Sequence, residues 1–396
     1  MKTPQPARYH SGSYEWFRAA AEQGDPYAQF NLALLYRASD LLAPDPVCAY
    51  YWMERSAQQG LAFAQNHLGV MLYTGEGVAA SDEQAVRWFR AAALQGEVAA
   101  QQNLGMMYRN GRGVLANAEV ALAWFFRAAE QGSARAQGLL GAAYLYGEGV
   151  AQDNLLALAW LRKAAMRNDA RAQLHLGVMY QQGRTVEADA AQAVAWWRQA
   201  AAQQLAMAER MLGLAYAQGQ GVAIDLPRAC AWLRRAAAQD DVDAQYNLAL
   251  MLAQGLGVTQ DEAQACVWYR YAASAGHMLA QYNLACMVAG GRGVAADPVQ
   301  ARTLYLQAAE QGSAAAQYNL ALMYEQGLGG LRNMALARIW YRCAARQGQL
   351  QARQRLDGMA RQERRISTAG TGWLRCRRSK VPRRQALRAT GSPASA

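Results

Sequence analysis

The sequence predicts an all-α solenoid, on three observations. The hexapeptide AQYNLA stands at 244–249, 280–285 and 316–321, so one pattern recurs every 36 residues. A leucine follows the anchor position of every copy by three residues, from Leu32 to Leu356. Glycines interrupt the pattern at the same places in most copies. So strict a repeat in a chain of 396 residues argues for stacked units, each burying its apolar stripe on the next, rather than for two or three separate cores.

The first element of each unit is a helix, A. Its anchor is Gln29, Gln65, Gln101, Gln137, Gln173, Gln245, Gln281 or Gln317, with Glu209 and Arg353 in the other two copies. After the leucine comes a small residue, as at Gly69, Gly105, Gly141, Gly177 and Gly213, which a close helix crossing requires. A turn follows. G-x-G-V stands at 75–78, 111–114, 147–150, 219–222, 255–258 and 291–294, and glycine ends a helix by accepting left-handed dihedrals. Thr185 takes the second glycine's place in one copy, and Ser39 and Leu41 take both places in the first unit.

The next element is helix B, centred on Trp16, Trp52, Trp88, Trp124, Trp160, Trp196, Trp232, Trp268 and Trp340, with Leu304 in the remaining copy. Alanine three residues before and an alanine pair four and five after, as Ala121 and Ala128-Ala129 do around Trp124, share one face with the ring. The indole is therefore expected to fill the interface between helices. A glycine such as Gly60, Gly96, Gly132, Gly276, Gly312 or Gly348 ends helix B. The chain opens on a B helix around Trp16 and closes on an A-like segment around Leu356, about 20 helices in all. The expected organisation is an extension at 1–12, repeats at 13–360 and a basic tail at 361–396.

These residues resemble the Sel-one-like repeat family, related to tetratricopeptide repeats. Its pattern is A-x-x-x-L-G-x-x-Y-x-x-G-x-G-V, then D-x-x-x-A-x-x-W-x-x-x-A-A-x-x-G. The resemblance implies a right-handed superhelical α-solenoid of paired antiparallel helices. It also implies a non-enzymatic scaffold or adaptor for partner proteins, of the kind used in bacterial regulation and host interaction. Secreted relatives carry a cysteine pair in each repeat, and this chain lacks that pattern.

Little else points to chemistry. No hydrolase, zinc-protease or P-loop motif is present, His10, His67, His175 and His277 are scattered, and no two of the six cysteines are spaced as zinc ligands. The reading is no enzyme, no cofactor and no metal, an enzyme site built across repeats being the outlying alternative. No apolar run is long enough to span a bilayer and the N-terminus lacks a signal-peptide core, so the expected location is cytoplasmic, with export left open by a mis-assigned start. Of the net charge of +11, the segment from Arg361 carries +9. That tail supports a second reading, contact with nucleic acid or an anionic surface.

The candidate site is a groove on helix A. At about 100° per residue, Leu248 and Leu252 share the core stripe with Ala244, Asn247 lies at the stripe's edge and Tyr246 faces away. In the related tetratricopeptide arrays these slots face the concave surface, and the residue before the leucine can bond a peptide backbone. The resemblance carries that role to Asn31, Asn103, Asn247, Asn283 and Asn319, beside Phe30, Tyr246, Tyr282 and Tyr318. The residues themselves leave two options open for the asparagines, a peptide or a neighbouring repeat, and the tyrosines could line a groove or pack. Arg135 and Arg171 share the slot four residues before Asn, His175 is one turn after Arg171, and Arg210 takes the tyrosine slot. The middle is thus basic and the C-terminal third aromatic. An extended partner peptide, acidic toward one end and apolar toward the other, would match.

Overall fold

The structure, a computed structural model, describes residues 11–38 and 42–361. Expectations for His10, Ser39, Leu41, Cys376 and the tail beyond residue 361 fall outside the described residues. Within them B and A helices alternate from Ser11–Glu22 to Met334–Arg346, and a further helical run at 350–361 makes twenty. Consecutive helices pack on one another from Ser11–Glu22 to Ala206–Gln218 and again from Val242–Gln254 to Met334–Arg346, and no strand occurs among the described residues. The chain divides between Ala236 and Ala237 into two compact units.

Short polar side chains start the helices. Asp153 accepts from the backbone N–H groups of Leu155 and Leu156, and Ser133 accepts from that of Ala136, so free amides of the first turn are satisfied. The first glycine of G-x-G stops the A helix in the left-handed region, as Gly111 does at φ 66°. The second glycine has two reasons to be glycine. Gly113 is at φ 65°, and a Cβ there would lie 2.3 Å from the carbonyl oxygen of Asp82 on the preceding B helix. Thr185 occupies the same slot at φ 64°, a conformation rare for a β-branched residue.

The structure corrects the expected core of helix B. Trp52, Trp88, Trp124, Trp160, Trp196, Trp232, Trp268 and Trp340 are only half-buried, and Trp16 is exposed. The buried side chain is the next residue: Met53, Phe89, Phe125, Leu161, Trp197, Leu233, Tyr269, Tyr305 and Tyr341. In the first unit these side chains sit over the small residue of the A helix. A Cβ on Gly105 would meet the Phe125 ring at 2.5 Å, and one on Gly141 would meet Leu161 Cγ at 2.6 Å. Neighbouring residues are about 100° apart on a helix, so a wide apolar stripe holds both, and only the deeper one meets the A-helix backbone. The tryptophans instead seal one repeat to the one before. Trp160 packs on the cluster of Phe125 and Leu140, and Trp196 on that of Leu161 and Leu176.

The anchor glutamines form the polar link between repeats. Each donates to a carbonyl of the preceding B helix eight residues back, as Gln101 Nε2 does to Ala93 O at 3.3 Å, and all but Gln137 and Gln245 accept from a glutamine 30 residues on, as Gln101 Oε1 does from Gln131 at 3.0 Å. The same rung joins Gln29 to Gln59, Gln65 to Gln95, Gln173 to Gln203, Gln281 to Gln311 and Gln317 to Gln347. At Gln137 the rung is missing, because Arg167 stands where the donor should be and bonds the Gly132 carbonyl instead. Gln137 Oε1 is left buried without a hydrogen-bond partner. Glu209, fully buried in the anchor slot, is paired by Arg235 at 2.6 Å.

Candidate functional site

In the first unit, the A helices Ala134–Tyr146 and Ala170–Gln182 border a cavity of about 450 Å³. Three residues singled out in the sequence meet there, namely Arg135, Arg171 and His175. Both arginines are exposed, each the second residue of its helix, and neither has a hydrogen-bond or ion-pair partner among the described residues. Leu139, Ala142 and the Tyr146 ring supply apolar lining. Glu148 and Asp169 also line the cavity but are committed elsewhere: Arg109 holds Glu148 at 2.8 Å, and Asp169 caps its helix by accepting from Ala172 N at 2.8 Å. Arg210 is not part of this lining and has contacts of its own.

His175 is largely buried, with Nδ1 3.2 Å from the Tyr146 hydroxyl and the two rings edge to face. Burial, reinforced by the Arg171 guanidinium, pushes the imidazole's pKa down to about 4, so it is neutral near pH 7. His67 shares the repeat slot but not the setting. Its Nδ1 faces Arg37 at 3.3 Å, and that arginine is held by Glu76. Burial first, then Arg37, lowers its pKa.

The asparagines reach different internal partners. Asn31 and Asn247 donate to the carbonyls of Tyr27 and Asp243, one turn back on their own helices. Asn103 donates to Asn66 Oδ1 at 3.0 Å, one repeat earlier. Asn283 donates to the Tyr269 hydroxyl at 3.3 Å, and Asn319 stands near the hydroxyls of Tyr282 and Tyr305. Tyr246, Tyr282 and Tyr318 tilt against the buried Tyr269, Tyr305 and Tyr341 at 5.7–6.1 Å between ring centres. Burial pushes the Tyr269 hydroxyl up to about 12, marking it as part of the packed interior. Exposed aromatic rings occur elsewhere in the first unit: Tyr27 (62%) and Phe63 (45%) occupy the slot that Arg135 and Arg171 fill further along.

These contacts separate two asparagines that look alike in sequence. Asn283→Ala removes the Tyr269 partner and should lower stability by ~1 kcal/mol. Asn247→Ala removes only a bond within the helix, and should be neutral or slightly stabilising because Ala is the better helix former. Thermal melting of the two variants measures the difference, and equal losses would show that the slot acts alike in both repeats.

Among the described residues no group of three His, Cys, Asp or Glu side chains could hold a metal ion, and no helix is long and apolar enough to cross a membrane. Cys48, Cys230, Cys266, Cys286 and Cys343 are free thiols.

Comparison with known proteins places the pattern. The Sel1 repeat matches ten successive segments, the first at 11–25 and the last at 314–349. A crystal structure of a protective antigen from uropathogenic Escherichia coli strains, displaying an SLR fold, is 31% identical, with 96% of this chain and 91% of that one covered and a TM-score of 0.54. A Sel1 repeat protein from Oxalobacter formigenes is 30% identical, over 91% of this chain and 97% of that one, with a TM-score of 0.57. No curated protein matches the chain.

Proposed function

Because the chain belongs to the Sel1 repeat family, we propose that it is a non-enzymatic adaptor that holds an extended segment of a partner protein against the A-helix face of its first unit. The observation that carries this reading is the cavity bordered by two successive A helices, with two unpaired guanidinium groups at its rim. Support also comes from Tyr27 and Phe63, exposed rings in the same slot, which suit apolar side chains of such a segment. The asparagines and the three A-helix tyrosines are the weaker part of the expected groove, since each is engaged internally. Backbone contact by Asn31 and Asn103 would require their present bonds to open.

The test is crosslinking on the full chain in lysate from the source cell, with and without nuclease, followed by mapping of the crosslinks and of hydrogen-exchange protection. Partner crosslinks and protection within Ala134–Tyr146 and Ala170–Gln182 that survive nuclease are the expected result. Contacts confined to the segment after residue 361 and abolished by nuclease would favour the nucleic-acid reading instead.

A further inference from the structure

We propose that the cavity of the first unit is a subsite for one acidic side chain of the bound segment, its carboxylate held between Arg135 and Arg171; this rests on the A-helix face being the partner-binding surface. The charge pattern is the first argument. Of the charged groups lining the cavity, Arg109 and Glu148 neutralise each other and Asp169 caps a helix with one carboxylate oxygen, while neither exposed arginine is paired with an acid. Like charges one repeat apart repel, and an anion between them turns that repulsion into two charge-assisted hydrogen bonds. Arginine's planar fork suits a carboxylate in particular.

His175 supplies a third donor. In the tautomer in which the Tyr146 hydroxyl donates to Nδ1, the neutral ring carries its proton on Nε2, and that N–H is the donor for a ligand oxygen. The count of charges also sets the ligand's. Arg109, Arg135 and Arg171 against Glu148 and Asp169 leave a formal +1, which one carboxylate balances, whereas a phosphate monoester carries about −1.5 to −2. Leu139 and Ala142 on the floor accommodate an aliphatic stem or an apolar neighbour of the acid. The chain's own segment from Arg361 onward has the wrong sign for this site, with ten basic residues against Glu363.

The experiment is selection of a phage-displayed random 12-residue library on the full chain, followed by fluorescence polarisation with end-blocked synthetic versions of the enriched peptides. Enriched peptides are expected to share an Asp or Glu beside an apolar residue. Changing that residue to Asn or Gln, or introducing Arg135→Gln or Arg171→Gln, should each weaken binding about tenfold, as loss of a charge-assisted pair does. On the amide peptide the arginine variants should have almost no further effect. Both arginines are exposed, so circular dichroism should be unchanged. Enriched peptides that lack an acid, or acidic ones held equally by both variants yet lost on Leu139→Glu, would refute the acidic subsite and leave the A-helix face standing. A selection that yields no peptide sensitive to Arg135→Gln, Arg171→Gln or Leu139→Glu would refute both.

Discussion

Trp197→Ala is expected to destabilise the first unit by ~3–5 kcal/mol, the range for emptying a fully buried aromatic site. The indole is 1% exposed, lies over Gly177, and donates Nε1–H to the Leu174 carbonyl at 3.3 Å. Trp197→Leu should recover most of the loss, because Leu161 and Leu233 fill the same slot over Gly141 and Gly213. Trp160→Ala should cost only ~1–2 kcal/mol, its ring being half-buried at the seam with the preceding repeat. Chemical denaturation gives the ranking. Hydrogen exchange gives the location, with protection lost mainly in Ala170–Gln182, Ala190–Ala202 and their immediate neighbours, since contacts in such an array are local. Equal losses at Trp160 and Trp197, or uniform loss of protection throughout the unit, would contradict this account.

Gly113→Ala should destabilise by ~2–4 kcal/mol, whereas Gly96→Ala should cost only ~1 kcal/mol. Both glycines are left-handed, at φ 65° and 92°, so both substitutions meet a backbone penalty, and Gly96 is the further from the left-handed well. They differ in what lies beyond the Cβ. At Gly96 nothing lies within 4 Å, while at Gly113 the carbonyl oxygen and carbon of Asp82 would be 2.3 and 2.4 Å away, and backbone cannot swing aside as a side chain can. Thermal melts of the two variants decide it. If they matched, the close approach of the turn to the preceding B helix would carry no energetic weight.

Helices, turns and their glycines could be read from the sequence because the 36-residue register repeats each of those local signals many times. Depth within a stripe could not. Trp196 and Trp197 stand side by side on one helix, and only the Gly177 backbone opposite decides which goes under. The glutamine rungs had a visible trace, a second column of glutamines at Gln59, Gln95, Gln131, Gln311 and Gln347, each before a glycine. What local pattern lacks is the bond across 30 residues. In the cavity, Arg135, Arg171 and His175 follow from helical spacing, whereas Tyr146 sits where other copies have Thr74 or Asn110 and so carries no repeat signal. Arg109 and Glu148 did have one, since Arg37 and Glu76 show the same separation of 39 and also pair. The asparagine slot resisted interpretation for a different reason. Its partner depends on the residue opposite, which is a tyrosine hydroxyl for Asn283 and an amide for Asn103.

The glutamine rungs bear on how such a gene can change length. Every rung spans 30 residues, and every anchor glutamine's other bond reaches eight residues back, so the glutamines' partners lie at fixed offsets within the 36-residue phase. An in-frame duplication of 36 codons brings a complete donor and acceptor set with it, and an in-frame deletion of 36 removes one without stranding the neighbours. A single codon gained inside a helix shifts one partner out of reach. Recombination between near-identical copies, such as those holding AQYNLA at 244–249, 280–285 and 316–321, can therefore vary copy number while the chemistry of the joint is inherited unchanged.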